Sequence, residues 1–141
     1  MTPTRSCEIH IDGASRGNPG PAGVGIVLKD GDAKVEEWSY YLGETTNNVA
    51  EYLALLYGLQ AALQAGYTAV TVNTDSELLA RQINGHYKVR DTRLRLFHDL
   101  ARHLMRGFRH CSIEHIPRTQ NTQADRLAGH AVTSRIYAAE H

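Results

Sequence analysis

Four acidic side chains stand where predicted strands end or predicted helices begin. Asp12 ends the first predicted strand and Asp75 ends the fourth, while Glu51 and Asp125 lie near the starts of two predicted helices. If the fold brings them to one end of a sheet, the four carboxylates repel each other unless cations neutralise them. Their oxygen atoms suit Mg²⁺ or Mn²⁺. Two such ions ~3.5–4 Å apart can clamp the attacking and leaving oxygens of a phosphoryl group.

Each of these carboxylates also fits a purely structural role when it is taken singly. An aspartate after a strand is a common turn residue, which applies to Asp12. Asp75 suits the N-cap of the helix that follows it. Glu51 and Asp125 suit the early turns of their helices, where the helix dipole favours negative charge. The set of four, rather than any one member, therefore indicates a metal site.

The elements that must position these side chains follow from the hydrophobic pattern. Three runs near the N-terminus, separated by turn residues, predict an antiparallel meander. Two later strands are predicted over residues 69–73 and 111–116, where the second is closed by Pro117. Helices are predicted where apolar residues recur at helical spacing, over residues 50–65, 76–83, 92–106 and 123–139. The order βββαβααβα predicts an α/β fold with a mixed five-stranded sheet, three strands antiparallel and two parallel, flanked by helices.

Length and composition restrict the class of protein. The 141 residues, 42% of them hydrophobic, suit one domain over residues 1–141 with its own core. No apolar run is long enough for a transmembrane helix, and residues 1–8 lack the apolar segment of a secretory signal. Cys7 and Cys111 are isolated in sequence, which fits a reducing cytosol. We therefore expect a cytoplasmic monomer without a membrane partner.

The net charge of zero conceals an asymmetry along the chain. Residues 1–80 hold ten acidic and four basic side chains, whereas residues 81–141 hold five acidic and eleven basic ones. Such a division between halves is typical of chains that bind polyanions, although folding can interleave the two halves.

Four segments of the sequence resemble type 1 ribonuclease H, also called ribonuclease HI. They are residues 12–20 (DGASRGNPG), 46–51 (TNNVAE), 74–76 (TDS) and 121–125 (NTQAD). The resemblance spans nearly the whole chain, in order and with matching element types. It implies a ribonuclease H-like fold and endonucleolytic cleavage of the RNA strand of RNA–DNA hybrids. The ends left by this family's cleavage are a 5′-phosphate and a 3′-hydroxyl.

The resemblance assigns the four carboxylates to a two-metal active site with Mg²⁺ or Mn²⁺. Asp12 would bridge both ions, and Glu51 would bind one of them and contact the 2′-hydroxyl beside the cut. Asp75 and Asp125 would complete the two coordination shells. Arg118 lies in a loop where many bacterial members carry a histidine, and it is the expected functional substitute that holds phosphate.

The resemblance also implies contacts with the hybrid. The matching positions near the active site are Gly13, Asn18, Thr46, Asn47, Asn48 and Asn121. Turn and capping chemistry is the alternative for the asparagines and the threonine, and Asn121 could orient Asp125 or cap its helix. The chain lacks the basic handle of many bacterial relatives and so resembles the short archaeal-type branch. Lys88 and Arg90 are expected to take over part of that handle's contact with the DNA strand.

Two alternative functions remain open at this point. The same fold and metals could also cleave double-stranded RNA. The chain could instead be a catalytically silent module that binds hybrids. The intact carboxylate set argues against the silent module, because a binding protein would gain from losing the repulsion among those groups.

Overall fold

The computed structural model describes residues 4–31 and 34–140 of the chain. Its elements are the strands β1 (Ser6–Ser15), β2 (Gly20–Asp30), β3 (Lys34–Thr45), β4 (Ala69–Thr74) and β5 (His110–His115), and the helices α1 (Asn47–Gln64), α2 (Glu77–Ile83), α3 (Thr92–Met105) and α4 (Thr122–Glu140). One 3₁₀ turn (Arg118–Gln120), which the sequence pattern did not predict, precedes α4. None of the helices in the described part of the chain is long and apolar enough to cross a membrane.

The strands form one mixed sheet in the order β3-β2-β1-β4-β5. Strands β1, β2 and β3 pair antiparallel, while β4 pairs parallel with β1 and with β5. The predicted fold class is therefore confirmed, including the division into three antiparallel and two parallel strands.

The end of β1 was predicted wrongly. The expected turn at Asp12 does not form, and β1 runs on to Ser15. Its parallel pairing with β4 stops at Ile11, but its antiparallel pairing with β2 continues from Asp12 onward, opposite Gly25. Because β2 still satisfies the backbone groups of β1, Asp12 lies inside a strand, one residue beyond the point where β4 ends its pairing.

The main core lies between the sheet and α1. Fully buried Ile9, Ile11 and Ile26 point from the sheet towards Leu55 and Leu59 of α1. Helix α1 begins three residues before the predicted residue 50 and ends one residue before the predicted residue 65. The hydroxyl of Thr46 caps its first turn by accepting the N–H of Val49 at 3.3 Å, and Gly66 follows its last turn with φ +85°.

The second face of the sheet is covered by α4, which packs directly on β2. A Cβ atom built on Gly25 would overlap the carbonyl oxygen of Ala124 and lie 2.7 Å from the backbone nitrogen of Ala128. Glycine at this position therefore lets the helix backbone approach the strand closely. That approach sets the depth at which α4 presents Asp125.

We expect Gly25→Ala to destabilise the protein by about 1–3 kcal/mol or more, because the added methyl group must displace α4. Gly129→Ala is the matched control, since a Cβ on this α4 residue would meet nothing within 4 Å. The control should be neutral or gain up to about 1 kcal/mol from its better helix propensity. Chemical denaturation of both variants measures the difference. Equal stabilities would contradict the close packing of α4 on β2.

Candidate active site

Three of the predicted carboxylates meet at one edge of the sheet. Asp12 comes from the interior of β1, Glu51 from the second turn of α1 and Asp75 from the residue after β4. Each offers one oxygen atom, and these oxygens all lie within 4.8 Å of one another. Asp12 and Glu51 are 5% and 7% exposed, so two of the three carboxylates are largely shielded from solvent.

The contact between β1 and α1 explains how Glu51 is held. The backbone N–H of Gly13 donates to the Glu51 carboxylate at 2.6 Å. A Cβ on Gly13 would overlap the carbonyl of Ala50 and lie 2.6 Å from the backbone nitrogen of Glu51. Only a glycine lets the strand come this close to the helix, and the same closeness creates the hydrogen bond.

Asp75 does not cap α2, so its side chain is available to the carboxylate cluster. The N-cap is Ser76, whose hydroxyl accepts the N–H of Leu79 at 3.1 Å. The capping role considered for Asp75 is therefore wrong. Ser76 also lies beside Glu51 and lowers the pKa of its carboxylate, an interaction that sequence reasoning missed although the residue belongs to the TDS segment.

Asp125 joins the site from the other face of the sheet. It lies in the first turn of α4, and its carboxylate is among the groups that raise the pKa of Asp12. The Arg118 guanidinium lies 3.6 Å from the Asp125 carboxylate, and its side chain is 79% exposed. Asp125 and Arg118 border the same cavity of about 220 Å³ as the three converging carboxylates.

Burial and mutual repulsion make the cluster costly in its fully charged form. Burial, followed by the charges of Glu51 and Asp75, raises the pKa of Asp12 to about 9. Burial raises the pKa of Glu51 to about 7, and the Gly13 N–H opposes that rise. A cation between these groups would remove the repulsion. The all-oxygen donor set therefore fits a hard divalent cation such as Mg²⁺ or Mn²⁺.

The polar residues around the start of α1 already have partners within the protein. Asn47 borders the carboxylate cavity, and its backbone N–H donates to the side-chain oxygen of Asn18 at 3.0 Å. Thr46 caps the helix, as described above, while Asn48 is exposed. The capping and turn chemistry considered for Thr46 and Asn18 is thus present. A contact of these residues with substrate stays a prediction.

The remaining predicted residues lie in two other places. Lys88 and Arg90 are exposed and line a separate cleft of about 650 Å³ between the α2–α3 loop and α3. A buried residue that sequence reasoning missed, Gln82, holds this loop: its side chain accepts the Tyr52 hydroxyl at 2.6 Å and donates to the backbone of Lys88 at 3.4 Å. Asn121 lies in the second place, directly before α4, where it is buried with an exposure of 1%.

Comparisons with known proteins identify the family. The family described as reverse transcriptase-like matches residues 10–131. Ribonuclease HI of Halobacterium salinarum is 44% identical over 135 residues, which is 94% of this chain and 68% of that protein. The chain belongs to the ribonuclease H family. The crystal structure of RNase H1 from the same archaeon superimposes with a TM-score of 0.89 at 42% identity, covering 92% of this chain and 98% of that one.

Two further relatives are similar to nearly the whole of this chain. The bifunctional protein Rv2228c of Mycobacterium tuberculosis is 41% identical over 93% of this chain, but the match spans only 36% of that protein. The structure of its N-terminal RNase H domain superimposes with a TM-score of 0.86 at 43% identity, covering 90% of this chain and 98% of that one. LC11-RNase H1, solved in complex with an RNA/DNA hybrid, superimposes with a TM-score of 0.87 at 39% identity. The match covers 92% of this chain and 99% of that one. The expected ribonuclease HI resemblance and fold are confirmed.

We expect Asp12→Asn to stabilise the metal-free protein at pH 8 by about 1–3 kcal/mol, because Asp12 ionises freely only in the unfolded chain and an amide does not ionise in either state. The pKa of Asp12 is raised on folding, from 3.8 to about 9. Its favourable contribution is therefore complete below about pH 4 and is lost as the pH rises towards 9. Thermal melts in EDTA at pH 5 and pH 8 should show a smaller loss of stability for the variant than for the wild type.

The control for this measurement is Glu44→Gln on β3, whose side chain is exposed. It should leave the wild-type dependence of stability on pH unchanged. An Asp12→Asn protein that is less stable than the wild type at pH 8 in EDTA would contradict the electrostatic picture of the site.

Proposed function

We propose that this chain is an endonuclease that hydrolyses the RNA strand of RNA–DNA hybrids. The observation that carries the proposal is the cluster of Asp12, Glu51 and Asp75, with Asp125 beside it, in a chain 44% identical to a ribonuclease HI. The neighbouring structure of LC11-RNase H1 with a hybrid supports the choice of substrate.

The four carboxylates are the residues that would hold divalent metal. Two ions, Mg²⁺ or Mn²⁺, would supply the Lewis acidity for attack by water and for departure of the 3′ oxygen, leaving 5′-phosphate and 3′-hydroxyl ends. Asp12 interacts with all three other carboxylates and is the least exposed of the site's acids, so we assign it the central position among them. Asp75 and Asp125 are the ligands that would complete the coordination of the two ions.

The residues of α1 and the adjoining loop are assigned to the hybrid. Glu51 is fixed by the Gly13 N–H, so its carboxylate is ready to meet the 2′-hydroxyl that distinguishes RNA from DNA. Asn47 borders the cavity and Asn48 is exposed beside it, where short amides suit base edges and hydroxyls. Asn18 and Thr46 lie at the start of α1, and we assign their side chains to a phosphate of the DNA strand.

The cationic residues are assigned to the phosphate backbones. Arg118 borders the carboxylate cavity with its guanidinium exposed, where it can hold the scissile phosphate through two hydrogen bonds but cannot act as a base near neutral pH. Lys88 and Arg90 line their own cleft on the α2–α3 loop and suit the phosphates of the DNA strand further along the duplex. Contacts of this kind weaken as the salt concentration rises.

The activity is tested with labelled RNA–DNA, RNA–RNA and DNA–DNA duplexes in Mg²⁺, in Mn²⁺ and in EDTA. We expect metal-dependent cutting of the hybrid alone, and cutting at background level by Asp12→Asn although that variant remains folded. Cutting of RNA–RNA as well would extend the substrate class to double-stranded RNA. Tight binding of the hybrid without cutting would replace the enzyme by a binding module, and near-wild-type turnover by Asp12→Asn would refute the site.

Arg118→Ala should lower kcat about 10- to 100-fold, as expected when a hydrogen bond to a charged group worth about 1.5–3 kcal/mol is lost. Stability should hardly change, because the side chain is 79% exposed. Arg126→Ala is the matched control, since Arg126 is also on the surface, 70% exposed, and is paired with Glu37 rather than with the site. Steady-state kinetics in which both variants have the same kcat would refute the role of Arg118.

A further inference from the structure

Asn121 connects the segments that carry three of the proposed functional residues. Its side-chain amide donates to the backbone carbonyl of Ile11 at 2.9 Å, and Ile11 directly precedes Asp12. Its backbone N–H donates to the carbonyl of Arg118 at 3.0 Å, and its own carbonyl accepts the N–H of Asp125 at 3.1 Å. One residue thus bonds to the strand that carries Asp12, to the turn that carries Arg118 and to the helix that carries Asp125.

The surroundings of Asn121 argue against the two other roles it could have. The residue is 1% exposed, so its side chain does not face a duplex lying on the surface. Its side-chain oxygen is buried and accepts no hydrogen bond from any described residue, so it does not cap the first turn of α4. The polar contact made by the side chain is the donation to Ile11.

This side-chain hydrogen bond joins β1 to the residue that precedes α4. Asp12 sits where β4 has stopped pairing with β1, so the backbone of β1 has lost one of its two neighbours there. The Asn121 amide bonds the carbonyl of Ile11, which is the last β1 residue that pairs with β4 and directly precedes Asp12. The side chain of Asn121 thus connects the backbone next to Asp12 with the backbone next to the helix that carries Asp125.

We propose that Asn121 is a positioning residue that sets the spacing of Asp12 and Asp125, and with it the affinity of the site for divalent metal. The inference rests on the proposed function, because it treats these carboxylates as metal ligands. Partners that orient metal ligands typically change metal affinity or activity by about 10- to 100-fold when they are removed.

The test compares Asn121→Leu, which keeps the branched shape but removes the donor, with Val70→Ala. Val70 is a buried residue of β4 near the opposite end of the sheet, so its truncation costs stability without touching the site. Three quantities are measured for each: the melting temperature, the affinity for Mn²⁺ by calorimetry without nucleic acid, and kcat and KM on a hybrid. We expect Asn121→Leu to lose about tenfold or more in Mn²⁺ affinity and in kcat, with KM within about twofold of the wild type.

Val70→Ala should lower the melting temperature while Mn²⁺ affinity and kcat stay within about twofold of the wild type. Asn121→Leu behaving like Val70→Ala would overturn the proposal and leave Asn121 a structural residue. A raised KM with unchanged Mn²⁺ affinity would overturn it in favour of a direct substrate contact. Asn121→Ser is the second variant should leucine prevent folding, and the same outcomes apply to it.

The calorimetric measurement separates this proposal from the proposed function. If the wild type binds Mn²⁺ but cleaves no hybrid, the proposed function fails, while the loss of Mn²⁺ affinity in Asn121→Leu still supports the positioning role. If the variant binds Mn²⁺ as tightly as the wild type, the positioning role fails whether or not the wild type cleaves hybrids.

Discussion

The approach of β1 to α1 at Gly13 is the constraint on which the site depends. It places the buried carboxylates of Asp12 and Glu51 on either side of a contact too tight for any Cβ. Two such groups repel each other, and burial raises the pKa of both. The hydrogen bond from the Gly13 N–H offsets part of that cost for Glu51. A site built this way is unfavourable when fully charged and empty, and this is the property that makes it a strong acceptor of cations.

Asp125 is placed by a similar close approach of a helix to a strand, on the other face of the sheet. There Gly25 lets the backbone of α4 lie against β2, and α4 carries Asp125 to the cavity that Asp12 also lines. Glycines in the middle of strands usually weaken a sheet because they bring no side chain to the core. In this protein they fix how deeply each helix sits, and that depth decides whether carboxylates from separate elements can meet.

Much of this arrangement could be predicted from the sequence, and the failures have a common cause. Local signals were reliable, since apolar spacing and turn residues predicted the order of the strands and helices. The Asp12-Gly13 pair was misread as a turn because a turn and a close strand–helix approach both call for glycine. The role of Asn121 could not be predicted, because its hydrogen bond to Ile11 joins residues 110 positions apart and produces no periodic pattern in the sequence.

The charge asymmetry of the sequence takes a different meaning in three dimensions. Asp12, Glu51 and Asp75 all come from the acidic part of the chain and gather at one edge of the sheet, so the negative charge is focused rather than spread. The later, basic part supplies Arg118 to the rim of that cavity, and Lys88 and Arg90 to a separate cleft. A polyanion is therefore attracted at the cleft and the rim but repelled at the centre, unless divalent cations neutralise the carboxylates. Binding of metal and binding of nucleic acid are for this reason expected to favour one another, although the two ligands contact largely different residues.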